Sequence, residues 1–535
     1  MKIATKDKIY KSPVRKLARF FEKSRDQWKA KCRKAKATVK RLKSRVCFLE
    51  ESRDRWKSQA KELRAKVAQM EAEKSELQKE LEVLRHKESQ IPVPRGDLES
   101  FTMIPRHHHY SVGHVKLFMD LVLADAASLR CASRAMETMS SCLQLSLSVP
   151  SWSTGRLWLL RLGYYKLNRP KEQANDWVWI ADHTVQIGKE KCLVILGTRL
   201  SNLPPVGQCL CHEDVELIAL LPVEKSNGEV VCQQLEACIE KTGIPRAIVG
   251  DHGSDLKAGI ERFCRAYLET CFVYDIKHKT ASILKRELKE DETWLAFTHL
   301  AGQTKSRVQQ TALAPLAPPN QRTKARYMNV DSLVDWGQKT LSFLDRQQAQ
   351  PSPLFDPEQV QTKLGWLPNF RQSLEEWGEF LQLTASAESF VRQQGLYPGA
   401  HLDLEERLQS RAHTDRTKLV RQELVAFVAQ EATKARPTER LLGSSEVIES
   451  VLGKLKRLEQ DQAKSGFTGL LLCLGAMVST TTAEVIQKAL ETVPTKQVLA
   501  WCKEILGRSV QAKRRDVFAS RRKTEQKRDQ LCLAT

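Results

Sequence analysis

Three observations predict an α/β chain with a mixed sheet set among helical regions. From residue 176 a series of apolar runs, bounded by turn residues, gives the order β-β-β-α-β-α-β. Three successive strands suit an antiparallel meander, and the later β-α-β units suit parallel crossovers. On either side of this segment the apolar residues recur at helical spacing.

The elements follow in order. "DWVWIAD" (176–182), "KCLVILGTR" (191–199) and "VELIALLPV" (215–223) are the first three strands. Residues 228–243 read as a helix stopped by Gly243. "RAIVGD" (246–251) is a short apolar strand ending in an acid. Residues 254–269 form a helix with a Ser or Asp cap, and "CFVYD" (271–275) is a last strand, again ending in an acid. In such a sheet the first strand lies centrally and the strand after the first helix can lie beside it. Asp182 and Asp251 are then neighbours at an open sheet end. Either aspartate alone reads as a cap or turn former; two acids ending adjacent apolar strands are harder to dismiss. Two carboxylates that close repel unless a cation joins them or one takes a proton. Oxygen-only ligands suit Mg²⁺ or Mn²⁺. Two such ions, about 3.5–4 Å apart, serve phosphodiester cleavage.

A third ligand comes late. Residues 280–440 are mostly helical and polar, with a Pro-rich basic loop at 312–327 and no clear strand. "GSSEVIESVLGKLKRLEQ" (443–460) then gives an amphipathic helix. Glu446 and Glu449 share one of its faces, and Lys456 lies two turns beyond Glu449. A helix laid on the sheet offers one carboxylate to the metals and a lysine to a phosphate. Glu446 competes with Glu449 for that place. Asp255 competes with Asp251, although its position at a helix start favours capping. His183 and His252, each following a proposed ligand, rank below the acids.

The flanks concern the partner. A net charge of +22 over 535 residues points to a polyanion, with nucleic acid as the default. Residues 1–50 carry 18 Lys and Arg against 4 Asp and Glu. Leu49, Trp56, Leu63, Met70, Leu77 and Leu84 recur every seven residues, which predicts a dimerising coiled coil with a basic end. Pro92 and Pro94 end it. Residues 111–168 read as short helices with helix-turn-helix punctuation, the second helix starting after Pro150 and Ser151. Arg156, Lys166 and Arg326 are the basic residues expected on DNA, and the basic tail from 511 could add backbone contacts.

Several classes are excluded or disfavoured. The fourteen cysteines show no framework spacing, so reduced thiols are expected. No apolar run spans a bilayer; the longest, 466–478, reads as a buried helix. There is no glycine-rich nucleotide loop. The His107–His109 triplet reads as a loop. Cys209, Cys211 and His212 lack a second pair at zinc spacing. The expected divisions are 1–90 (basic helix and coiled coil), 91–170 (DNA-binding helices), 171–290 (first part of a catalytic domain), 291–440 (all-α insertion), 441–510 (its completion) and 511–535 (tail).

With Asp182, Asp251 and a Glu beyond a long helical insertion in place, the chain resembles the DDE transposases, whose catalytic domain is ribonuclease-H-like. "IESVLGKLK" is similar to the Glu signature of bacterial insertion-sequence transposases, where Lys follows the catalytic Glu by seven residues; Glu449 and Lys456 match. The family's Tyr-x-x-Arg before the Glu is absent, Leu442 and Ser445 standing there. "DIKH" matches a Cys/Asp-x-x-His motif of cut-and-paste transposases, with Asp275 and His278 at its ends. The resemblance covers roughly 175–290 and 440–480. It implies a catalytic and metal-binding triad of Asp182, Asp251 and Glu449, supported by Asp275, His278 and Lys456. It implies two Mg²⁺ or Mn²⁺ ions, cleavage at the terminal inverted repeats of a mobile element, and attack of a 3′-hydroxyl on target DNA. It also implies a dimeric or higher assembly in the bacterial cytoplasm, at the nucleoid. A related nuclease without strand transfer, and an inactive DNA-binding descendant, are the alternatives.

Overall fold

The computed structural model describes residues 13–16, 18–34, the isolated positions 36, 43, 53, 57 and 61, and then 100–144, 148–185, 190–321, 330–349, 355–460, 466–508 and 510–518. The chain divides into two compact units, 1–95 and 96–535. In the first, residues 18–34 are helical and almost wholly exposed. The heptad positions of the expected coiled coil, and Arg326, lie outside the described residues.

The second unit is built on a five-stranded sheet in the order β3-β2-β1-β4-β5. Its strands are β1 (Trp177–Val185), β2 (Lys191–Arg199), β3 (Glu216–Val223), β4 (Ala247–Gly250) and β5 (Cys271–Tyr274). β1 and β2, and β2 and β3, run antiparallel, while β1, β4 and β5 run parallel. The expected meander and crossovers are both present, and the mixed sheet is compatible with a ribonuclease-H-like fold. One boundary differs in an informative way. β1 does not stop at Asp182 but stays paired to β2 as far as Val185↔Lys191. Its pairing with β4 ends at Ala181↔Gly250. Asp182 therefore sits in the notch where β4 ends and β1 runs on.

Side-chain alternation assigns the faces. Trp177, Trp179 and Ala181 of β1 pack with Leu193, Ile195 and Ile248 under α4 (Gly228–Glu236) and α5 (Ser254–Ala266). Val178 and Ile180 join Ala247, Val249 and Val273 in the larger core on the other face. Asp182, Asp251 and Asp275 continue this second parity, so all three acids belong to the face that carries most of the helices. The Ser or Asp cap expected for α5 is replaced by Gly253.

Three helices precede the sheet: α1 (Val112–Leu123), α2 (Leu129–Cys142) and α3 (Trp152–Asn168). Ser151 caps α3, accepting from Thr154 N at 3.2 Å. The expectation that α3 enters a DNA groove is corrected by its packing. Trp158, Leu159, Leu160, Leu162 and Leu167 are buried, and so are Arg161 and Lys166. A helix apolar around most of its girth belongs inside a protein. Gly163 meets residues 472–473 so closely that a Cβ would stand 1.8 Å from Leu472 O. The expected buried run at 466–478 thus forms part of the bed for α3.

After β5 come α6 (Ile276–Lys289), α7 (Glu292–Val308), α8 (Asp331–Ala349), α9 (Pro357–Leu364), α10 (Arg371–Gln394), α11 (Ala400–Leu408) and α12 (Asp415–Ala432). Trp294 and Phe297 of α7, Trp377 of α10 and Phe370 form the aromatic centre of this helical region. α13 (Glu446–Gln460) then returns to the sheet, followed by α14 (Ala483–Thr492) and α15 (Thr495–Ile505).

Candidate active site

The junction between β5 and α6 fixes the approach of α13. Asp275 is fully buried and caps α6. Its Oδ2 accepts from His278 N at 3.0 Å and from His278 Nδ1 at 2.7 Å. Its Oδ1 accepts from Ser445 N at 2.8 Å, immediately before α13. Ile276 N donates to Gly443 O at 3.1 Å. Gly443 allows this closeness, since a Cβ there would lie 2.5 Å from Val391 Cγ1. The "DIKH" segment is thus a helix cap whose carboxylate also grips the start of α13.

That grip brings Glu449 to the notch. Glu449 Oε2 accepts from Lys277 Nζ at 2.7 Å. Glu449 Oε1 is buried, makes no hydrogen bond, and lies 3.9 Å from His278 Nδ1. Asp182 feels the charges of Asp251, His278 and Glu449. Burial, then the neighbouring Asp251 carboxylate, pushes Asp182 up to about 7. Asp182 Oδ1 accepts from His183 N at 2.7 Å, and Asp251 Oδ1 from Gly253 N at 2.9 Å. Burial opposes a charge on His278, but Asp275, with Asp251 and Glu449 beyond it, lifts the ring to about 9. The imidazole is therefore a cation at neutral pH, donating from Nδ1 to Asp275.

A crowded set of carboxylates with a buried, unbonded oxygen fits a divalent cation. Asp275, His278 and Glu449 also offer ligand atoms all within 4.8 Å of one another. Both oxygens of Asp275 already accept N–H groups, however, and His278 Nδ1 points its proton at one of them. Asp182, Asp251 and Glu449 keep oxygens outside such bonds, but among the described residues the three do not bring ligand atoms all within 4.8 Å of one another.

The competing acids are committed elsewhere. Glu446 pairs with Arg392 at 2.6 Å, although it shares a helix turn with Glu449. Asp255 pairs with Lys191 at 2.8 Å and lies 3.9 Å from His183 on the opposite sheet face. Burial opposes its ionisation, but the Lys191 bond holds it well below the usual carboxylate range. Lys456 is exposed and is not the lysine at Glu449. That place belongs to Lys277, which sequence reasoning passed over inside its own quoted motif. Only the capping geometry of Asp275, which turns the next helical turn toward α13, reveals it.

The expected DNA contacts fare differently. Lys166 is corrected: it is 1% exposed and its ammonium donates to Val478 O, Ser479 O and Thr481 Oγ1 at 2.7–2.9 Å. Burial, then Arg169, lowers it to about 7. It is a clamp within the fold, enclosed away from a phosphate. Arg156 is half-buried beside Gly469. His107–His109 form a loop, with His108 Nε2 3.2 Å from Leu490 O. His212 of the C-x-C-H bonds Ser450 Oγ at 3.0 Å rather than joining a metal cluster among the described residues. The described cysteines are all free. No described helix is long and apolar enough to cross a membrane.

No family model matches the chain. No curated protein matches it either. Among solved structures it is similar to a Drosophila P element transposase strand transfer complex, at 10% sequence identity and a TM-score of 0.32, over 79% of this chain and 99% of that chain. At that score the two do not share enough arrangement for a role to be carried across.

Proposed function

We propose that the protein is a DNA transposase that cleaves the ends of a mobile element and joins the freed 3′-hydroxyl to target DNA, with Mg²⁺ or Mn²⁺ held by Asp182, Asp251 and Glu449. One observation carries the reading: acids from a central strand, the end of its parallel neighbour and a helix about 200 residues further on come together on one sheet face. A divalent cation pair, when bound, would supply Lewis acidity and an activated water or hydroxyl for in-line attack on a phosphodiester. The chain's own residues do the rest. Without a cation, Asp182 carries a proton for part of the time at neutral pH, which relieves the repulsion from Asp251. Lys277 holds Glu449 Oε2 and is placed to take a phosphate oxygen. The His278 cation keeps the Asp275 cap in place and adds positive charge beside the acids. The net charge of +22 supports a nucleic-acid substrate. Action on paired terminal repeats implies a dimer or larger assembly, working on cytoplasmic, nucleoid DNA of a bacterium.

The test is cleavage of DNA carrying the flanking element ends in Mg²⁺ or Mn²⁺ by wild type, Asp182→Ala, Asp251→Ala and Glu449→Ala. Metal-dependent nicking and joining, lost in each variant but kept in Glu446→Ala, is expected. Tight binding without cleavage by wild type would sink the proposal. Nicking without joining would reduce it to a nuclease.

A further inference from the structure

Beside Asp251 stands an aromatic stack that the cleavage chemistry does not use. His252 follows Asp251 directly and is exposed. Its ring lies flat on Tyr274, with centroids 3.5 Å apart and planes 6° apart. Phe272, two residues before Tyr274 and so on the same face of β5, flanks it at 5.6 Å. The stack has a firm base. Tyr274 meets Phe427 edge-on at 5.9 Å, and its backbone N donates to Glu431 Oε2 at 2.9 Å. The loop under His252 is held by the bond from Gly253 N to Asp251 Oδ1. Among the described residues no hydrogen bond occupies the imidazole nitrogens, so the ring is held by its contacts with Tyr274 and Phe272. Lys257, Lys434, Glu261 and Asp251 lie within electrostatic reach of it, Lys257 standing 3.7 Å from Glu261 and Lys434 2.7 Å from Glu431.

A flat ring with one face covered and the other open matches the aromatic faces on which proteins stack the bases of single-stranded nucleic acid. Cations track the phosphates while aromatic faces take the bases. We infer that the open face of His252 stacks an unpaired nucleobase of a DNA strand bound beside Asp251. This rests on the reading of the acids as a DNA-cleaving site. It assigns a ligand to a residue outside the triad, and it requires the DNA to be locally unpaired when it reacts. Because His252 is exposed and its neighbours pack without it, its removal leaves the fold intact.

The experiment compares two short single-stranded DNAs of equal length, one with bases and one abasic throughout, binding the full chain in Ca²⁺ followed by fluorescence anisotropy. Both carry the same phosphates, so their affinity ratio reports base stacking alone. Wild type is expected to prefer the base-bearing strand by about 5- to 140-fold. His252→Ala should lower that ratio at least about fivefold, and His252→Trp should keep it. An unchanged ratio in His252→Ala, or no preference in wild type, overturns the inference. Cleavage of element ends with an unchanged ratio defeats the stacking site and leaves the transposase reading standing. A His252-dependent ratio without cleavage does the reverse.

Discussion

Replacing Asp275 tests whether the β5–α6 junction sets the position of Glu449. In Asp275→Ala, α6 loses its cap, a change that costs about 0.5–2 kcal/mol. The Ser445 N–H, which Asp275 Oδ1 satisfies at 2.8 Å inside the protein, loses its acceptor. Leaving such a donor unmet costs about 1–3 kcal/mol. Together these come to about 1.5–5 kcal/mol, before the unpaired His278 cation is considered. At a urea m-value of about 3 kcal/mol/M, the transition that includes α13 should move down by about 0.5–1.7 M. Cleavage should fall about a hundredfold or more, because displacement of a catalytic group by about 1 Å suffices for that. Asp275→Asn, which keeps one acceptor oxygen in the same shape, should lie between the variant and wild type. The measurements are urea unfolding followed by tryptophan fluorescence, with amide exchange at residues 443–450 and metal-dependent nicking. A midpoint shift below about 0.3 M with full nicking would refute the reasoning, since the cap would then bear no weight.

Two further predictions concern charges the fold has displaced. Folding raises Asp182 from 3.8 to about 7, so between those pH values the folded protein binds more protons than the unfolded chain. Its stability must therefore fall as pH rises through that window. Asp182→Asn should remove this part of the fall and raise the melting temperature at pH 8 relative to wild type. Mg²⁺ should stabilise wild type at pH 8 but stabilise the variant much less; identical pH and Mg²⁺ responses would count against the cluster. Lys166→Met should destabilise by about 2–4 kcal/mol, through the three oxygens its ammonium now serves, while leaving the salt dependence of DNA binding unchanged. A flatter salt slope with normal stability would restore Lys166 to the DNA surface.

The sheet and the acids were legible because their signals are local. Five apolar runs gave five strands, and counting parity from Val178 and Ile180 to Asp182 places that acid on the helical face. Glu449 could be reached from the sequence only as one of two acids in the first turn of an amphipathic helix. The choice between them depends on where that helix points, which Asp275 and Gly443 decide from far away in the chain. Lys277 was missed because a lysine between Ile276 and His278 looks like a solvated charge until its partner arrives from α13. Lys166 was misjudged for the opposite reason. Charge is visible in a sequence, whereas enclosure by Val478, Ser479 and Thr481, some three hundred residues later, is not. The burial of α3 was partly legible, since the run from Trp158 to Leu162 leaves little polar girth for a helix that must face DNA.

The bed of α3 has a consequence for how the protein comes into being. A helix near residue 160 whose neighbours lie beyond residue 469 cannot finish packing until nearly the whole chain has left the ribosome. The same delay governs the acids. At about 5–20 residues per second, the roughly 200 residues from Asp251 to Glu449 take about 10–40 s to synthesise. Throughout that interval the nascent protein presents a basic arm and two aspartates but no third carboxylate. On the proposed reading, a growing or prematurely terminated chain carries its basic arm before the third acid that cleavage requires has been made.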